Sequence, residues 1–165
     1  MMKNRILALL AALSISACTP HHHGASEQLY TDKMTGETVY QTGDAVLLEY
    51  MRYPFYVGLT STDGNPAMRI GYQGSTWLFI SECWVKIGDD VHQFKNLNPA
   101  RTVLSNGGII ERTIFPVDLK LVESLAAADP STVVFRVSGS RGYEEWESTV
   151  EVSAKAKAML THIKY

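Results

Sequence analysis

Cysteine is scarce in this chain, with two residues in 165, too few for a small fold stapled by several disulfides. Nowhere do lysines and arginines form a block, and the formal net charge is -2. A nucleic-acid binder held chiefly by phosphate contacts is thereby excluded. Six prolines, 12 glycines and 45% hydrophobic residues exclude a collagenous, low-complexity or wholly disordered chain. The catalytic signatures G-x-S-x-G, H-E-x-x-H, Walker A and G-x-G-x-x-G are absent, and no internal repeat is evident. These absences point away from an enzyme and call for no cofactor or metal.

What is present begins with an address. Lys3 and Arg5 precede the apolar run Ile6 to Leu13, extended by Ser14 and Ile15. This run is too short to cross a hydrocarbon core, which takes roughly 20 helical residues. It has the form of a secretory signal. It ends in Ile15-Ser16-Ala17-Cys18, which resembles the lipobox of bacterial lipoproteins: an aliphatic residue, two small residues and a cysteine. Small residues suit the cleft of a peptidase, and the thiol is the nucleophile that forms a thioether with a lipid donor.

The resemblance implies diacylglyceryl transfer to Cys18, cleavage after Ala17 and fatty acylation (palmitate or a similar chain) of the new amino terminus. Together these acyl chains make a stable anchor. Thr19, where an Asp commonly causes inner-membrane retention, implies sorting to the outer membrane and its periplasmic face. The expected organisation is a leader over 1–17, a lipidated Cys18 with a flexible tether over 18–28, and one globular domain over 29–165. Without the leader the balance is 13 basic to 17 acidic residues, so lipid rather than surface charge would hold the protein at a membrane. A lipidated Cys18 leaves Cys83 without an intramolecular disulfide partner. His21-His22-His23 reads as polar spacer, since adjacent imidazoles on a floppy segment chelate poorly.

The body predicts an α+β fold, mainly antiparallel sheet. Strand patterns cover Ala45 to Met51, Phe55 to Thr60, Met68 to Tyr72, Trp77 to Ile87, Val91 to Leu97, Arg101 to Leu104 and Ile109 to Phe115. Thr62-Asp63-Gly64-Asn65, Gly88-Asp89 and Asn106-Gly107 supply hairpin turns. Trp77, Phe79, Cys83, Val85 and Ile87 share one face at period 2. An internal helix is predicted over Asp118 to Ala128, ending before Asp129-Pro130. Two strands follow, with Val133, Phe135 and Val137 alternating in the first. In the second, Trp146, Ser148, Val150 and Val152 oppose Glu145, Glu147, Thr149 and Glu151. A C-terminal helix over Ala154 to Ile163, with Ser153 as N-cap, completes the pattern.

Four groups have chemical potential. Glu145, Glu147 and Glu151 form a carboxylate row, but carboxylates on one strand face share one environment, and a solvated face explains them better than acid/base work. Cys83 and His92 become diagonal neighbours if Gly88-Asp89 is a two-residue turn, although the apolar surroundings favour an inert thiol. Tyr50, Arg52, Tyr53 and Tyr56 crowd around Pro54 with Phe55 and Met51, a chemistry typical of protein-binding hot spots. Ser138-Gly139-Ser140-Arg141-Gly142-Tyr143 resembles, with one extra residue, the Ser-Gly-x-x-Tyr loop of periplasmic lysozyme inhibitors, which marks Arg141 and Tyr143 for partner binding.

The combined expectation is a non-catalytic, lipid-anchored envelope module that binds a protein or cell-wall partner as an inhibitor, immunity factor or accessory subunit. The alternatives are a small envelope hydrolase using Cys83/His92 or a Glu pair, and a carrier of a small hydrophobic ligand.

Overall fold

A computed structural model describes residues 27–48 and 53–163. The fold is α+β and mostly antiparallel, with one internal and one C-terminal helix. A curled seven-stranded sheet contains β1 (Gln28–Thr31), β2 (Thr38–Gln41), β3 (Ala45–Leu47), β4 (Phe55–Thr62), β5 (Asn65–Gly74), β8 (Ala100–Val103) and β9 (Ile109–Pro116). Its order is β1-β2-β4-β5-β9-β8, with β3 also on β4. β2 and β3 therefore share one flank of β4, interrupted at Thr42 to Asp44. The second sheet, in order β11-β10-β6-β7, holds β6 (Ile80–Ile87), β7 (Asp90–Phe94), β10 (Val133–Gly139) and β11 (Gly142–Glu147).

The hairpins fall where the turn residues predict them. Asp63-Gly64 joins β4 to β5, and Gly88-Asp89 joins β6 to β7 with Val85 opposite His92. Asn106-Gly107 lies between β8 and β9. The connections between hairpins carry the chain back and forth across the core. β5 leaves the first sheet through residues 75–79 and enters the second as β6, and β7 returns it to β8.

The two sheets meet through aromatic rings. Phe55 of β4 stacks on Trp146 of β11 at 4.4 Å, and Phe135 of β10 lies 6.1 Å from Phe55. α1 (Leu119–Ala127) starts where expected: the Asp118 carboxylate accepts a hydrogen bond from the Leu121 amide at 2.7 Å, a standard N-cap. α1 packs on α2 (Val150–Ile163), which lies across β4, β2 and β3. No helix among the described residues is long and apolar enough to cross a membrane.

Two expectations need correction. α2 begins at Val150, not Ala154, and Ser153 is inside its first turn rather than at the cap, with its hydroxyl donating to the Ala126 carbonyl at 3.1 Å. The strand reading of Val150 and Val152 fails because Val152, Ala156 and Met159 form a buried stripe at helical spacing. Glu151 therefore lies on the helix, paired with Lys155, and not in a strand row with Glu145 and Glu147. The strand expected from Trp77 begins only at Ile80. A register shift opposite Ser138/Gly139 leaves Ser81 as an extra residue, which keeps Ile80 and Cys83 both buried.

Candidate functional site

The crossing from β5 to β6 holds the most unusual local geometry. Phe79 has φ of +55°, a left-handed conformation that costs an ordinary side chain roughly 1–2 kcal/mol. Its cause is visible across the core. Glu111, on β9 and 1% exposed, accepts hydrogen bonds from three successive backbone amides. Leu78 and Phe79 donate to Oε1 at 2.7 and 2.9 Å, and Ile80 donates to Oε2 at 3.0 Å. A left-handed residue turns the chain so that successive amides converge on one anion, the arrangement called a nest. The Arg101 Nε, on neighbouring β8, donates to Glu111 at 3.2 Å and balances the buried charge.

The loop is also clamped from the second sheet. The Arg141 amide donates to the Leu78 carbonyl at 3.3 Å, and Gly139 lies so close that a Cβ there would overlap the Leu78 and Phe79 carbonyl oxygens. The Phe79 side chain, by contrast, points outward and is 36% exposed. The guanidinium groups of Arg101 and Arg141 both lie 5.2 Å from its ring centroid. Arg141 has no acidic partner among the described residues. Nearby in sequence, Tyr143 is 61% exposed, with Arg136 4.9 Å above its ring. An exposed aromatic ring with two cations beside it is suited to an apolar contact flanked by carboxylates.

Phe79, Arg101 and Glu111 were not singled out from the sequence, where Phe79 was assigned to a buried strand face. A signal was present: Trp77-Leu78-Phe79-Ile80 is an unbroken apolar run, which a half-buried strand of period 2 cannot accommodate.

The other candidates are dispersed. Cys18, Tyr50, Arg52 and the three histidines lie outside the described residues. Tyr53 is exposed and its carbonyl accepts from the Trp146 indole at 3.0 Å. Tyr56 is not part of an exposed group: it is 8% exposed, on the face of β4 opposite Phe55, and donates to Gln73 at 2.9 Å. Phe55 is core. Glu145 is hydrogen-bonded by Arg136 at 2.6 Å.

Cys83 stands opposite Phe94 and is fully buried, and burial pushes its thiol from near 9 up to about 12. His92 is diagonal to it, as the turn predicts, but the thiol stays protonated at neutral pH. Iodoacetamide at pH 8 is expected to leave Cys83 unlabelled in the native protein and to label it in urea, as read by peptide mapping. Rapid native labelling would contradict this burial. Tyr40 and Tyr72 are likewise pushed up to about 12, chiefly by burial. Raised acids favour the folded state only while the unfolded chain also keeps its protons. The contribution of these three groups to stability is thus expected to be intact below about pH 9 and to be lost between about pH 9 and 12.

No protein-family model, curated protein or solved structure matches this chain.

Proposed function

We propose that the chain is a bacterial envelope lipoprotein, tethered through lipid on Cys18 at the periplasmic face of an outer membrane, whose β-rich domain binds a partner protein without catalysing a reaction. The partner surface presents acidic side chains around an apolar recess for the Phe79 ring. On this reading the protein belongs among inhibitors, immunity factors or accessory subunits of an envelope assembly.

One observation carries the binding reading. Glycine or asparagine at position 79 would complete the amide nest around Glu111 at lower conformational cost, yet a phenylalanine stands there with its ring exposed and the guanidinium groups of Arg101 and Arg141 over it. Strain retained together with an exposed hot-spot residue fits recognition better than folding. Arg141, singled out from the sequence, belongs to this surface, and Tyr143 continues it.

Phe79→Asn tests the reading. Asparagine tolerates the left-handed conformation, so relief of strain and loss of two exposed cation–π contacts nearly cancel, and the unfolding free energy is expected to stay within ~1 kcal/mol. Capture of a partner from envelope extract should fall at least tenfold in Phe79→Asn and in Arg141→Glu, while Tyr53→Ala retains it. Undiminished capture by both variants would remove this surface. Anchoring is tested separately: Cys18→Ser should abolish incorporation of a fatty-acid analogue, and persistent incorporation would overturn the lipid assignment.

A further inference from the structure

The face of the first sheet opposite the core carries a groove of about 490 Å³, within the range of small-molecule sites. Its shape follows from register. Tyr56, Gly71 and Arg112 lie side by side on β4, β5 and β9, and Gly58, Arg69 and Ile114 form the next row on the same face. Each row thus has a glycine where a side chain would otherwise fill the sheet surface. At Gly71 a Cβ would lie 3.3 Å from the Tyr56 ring and 3.4 Å from the Arg112 stem, so the gap lies between an aromatic wall and a cation. At Gly58 a Cβ would overlap the Asp44 carboxylate and the Arg69 guanidinium, which meet over that position.

The two arginines differ in state. Arg69 Nη2 donates to Asp44 Oδ1 at 2.9 Å and to the Thr42 carbonyl at 2.6 Å, which fixes the guanidinium in the break between β2 and β3. Its Nε is buried without an acceptor. Arg112 is exposed and has no acidic partner among the described residues. With Asp44 offset by Arg69, one cation is left over among the described residues that line the groove. Beside it are the Tyr56 ring, bare backbone at Gly71 and Ile114, which is 57% exposed.

We infer that this groove binds a monoanionic amphiphile, its carboxylate or phosphate held by Arg112 beside Arg69 and its apolar body lying over Gly71 between Tyr56 and Ile114. Charge complementarity selects the occupant: among the described residues, a neutral apolar molecule would leave Arg112 without a counter-charge, and a dianion would exceed the one cation left over. The site is separate from the Phe79 surface. It also differs from a hydrophobic ligand carried within the sheet, because its opening is on the outer face and its selectivity is electrostatic.

Calorimetric titration of the purified chain with octanoate, methyl octyl phosphate (a diester that carries one charge) and octanol tests this. Saturable binding of one or both anions is expected, with octanol at least tenfold weaker. If octanoate binds more tightly, the natural occupant carries a fatty carboxylate; if methyl octyl phosphate does, it carries a phosphodiester. Arg112→Gln, at an exposed position that spares the fold, should weaken the anion at least tenfold, and Gly71→Val should remove binding by filling the groove. Equal binding of octanol, binding unaffected by Arg112→Gln, or no saturable binding of either anion would overturn the inference.

Discussion

Replacing Glu111 by leucine is expected to destabilise the fold by roughly 3 kcal/mol or more. Three amides, those of Leu78, Phe79 and Ile80, lose their acceptor at once, and each buried donor left unpaired costs about 1–3 kcal/mol. Loss of the pair with Arg101 adds little, because that side chain is 35% exposed. Glu111→Gln should cost less. Its one carbonyl oxygen can still serve the two amides now on Oε1, while its NH₂ would face the Ile80 amide and the Arg101 guanidinium, donors all. Urea unfolding checks the order wild type, Gln, Leu in midpoint, and hydrogen exchange at 78–80 should accelerate in the leucine variant. An unchanged midpoint in Glu111→Leu would show that the amides find other partners. The same variant frees Phe79 to leave its left-handed conformation, so partner capture should fall with stability. Phe79→Asn separates the two effects, because it loses the ring and keeps the nest.

Trp146→Ala should cost about 3–5 kcal/mol, the usual range for truncating a large buried aromatic, and lower the midpoint of thermal unfolding by about 10–20 °C for a domain of this size. The indole is 1% exposed, lies nearly parallel to Phe55, with Tyr72 at 6.1 Å on the same sheet, and donates to the Tyr53 carbonyl. It therefore joins the two sheets and holds the chain entering β4. Trp146→Phe keeps a ring against Phe55 and loses the donor, so about 1–2 kcal/mol is expected. If the alanine variant melted with wild-type midpoint, the contact between sheets would rest elsewhere.

Local signals were sufficient for most of the architecture. Alternation in Val133, Phe135 and Val137, turn residues at Asp63-Gly64 and Asn106-Gly107, and the Asp118 cap each act within a few residues, so the strands from β3 onward, their hairpins and the internal helix could be placed from the chain itself. β1 and β2 carry no such pattern, and Gln28 reads as tether. Nor could the start of α2 be placed. Val150 and Val152 satisfy both a period of 2 and the first turn of a helical stripe, and only the packing of Val152 beside Ala156 and Met159 resolves the ambiguity.

The candidate sites were less legible. Arg141 and Tyr143 were marked only by the resemblance of their turn to the loop of periplasmic lysozyme inhibitors. Phe79 could not be chosen, since its conformation is imposed by a carboxylate 31 to 33 residues away from the amides it holds. The groove depends on two glycines and two arginines coming into register across three strands. Pairing along the chain is short-range physics, readable from composition and period. A buried charge, a strained residue and an unfilled sheet surface are long-range outcomes, and they exist only once distant strands have met.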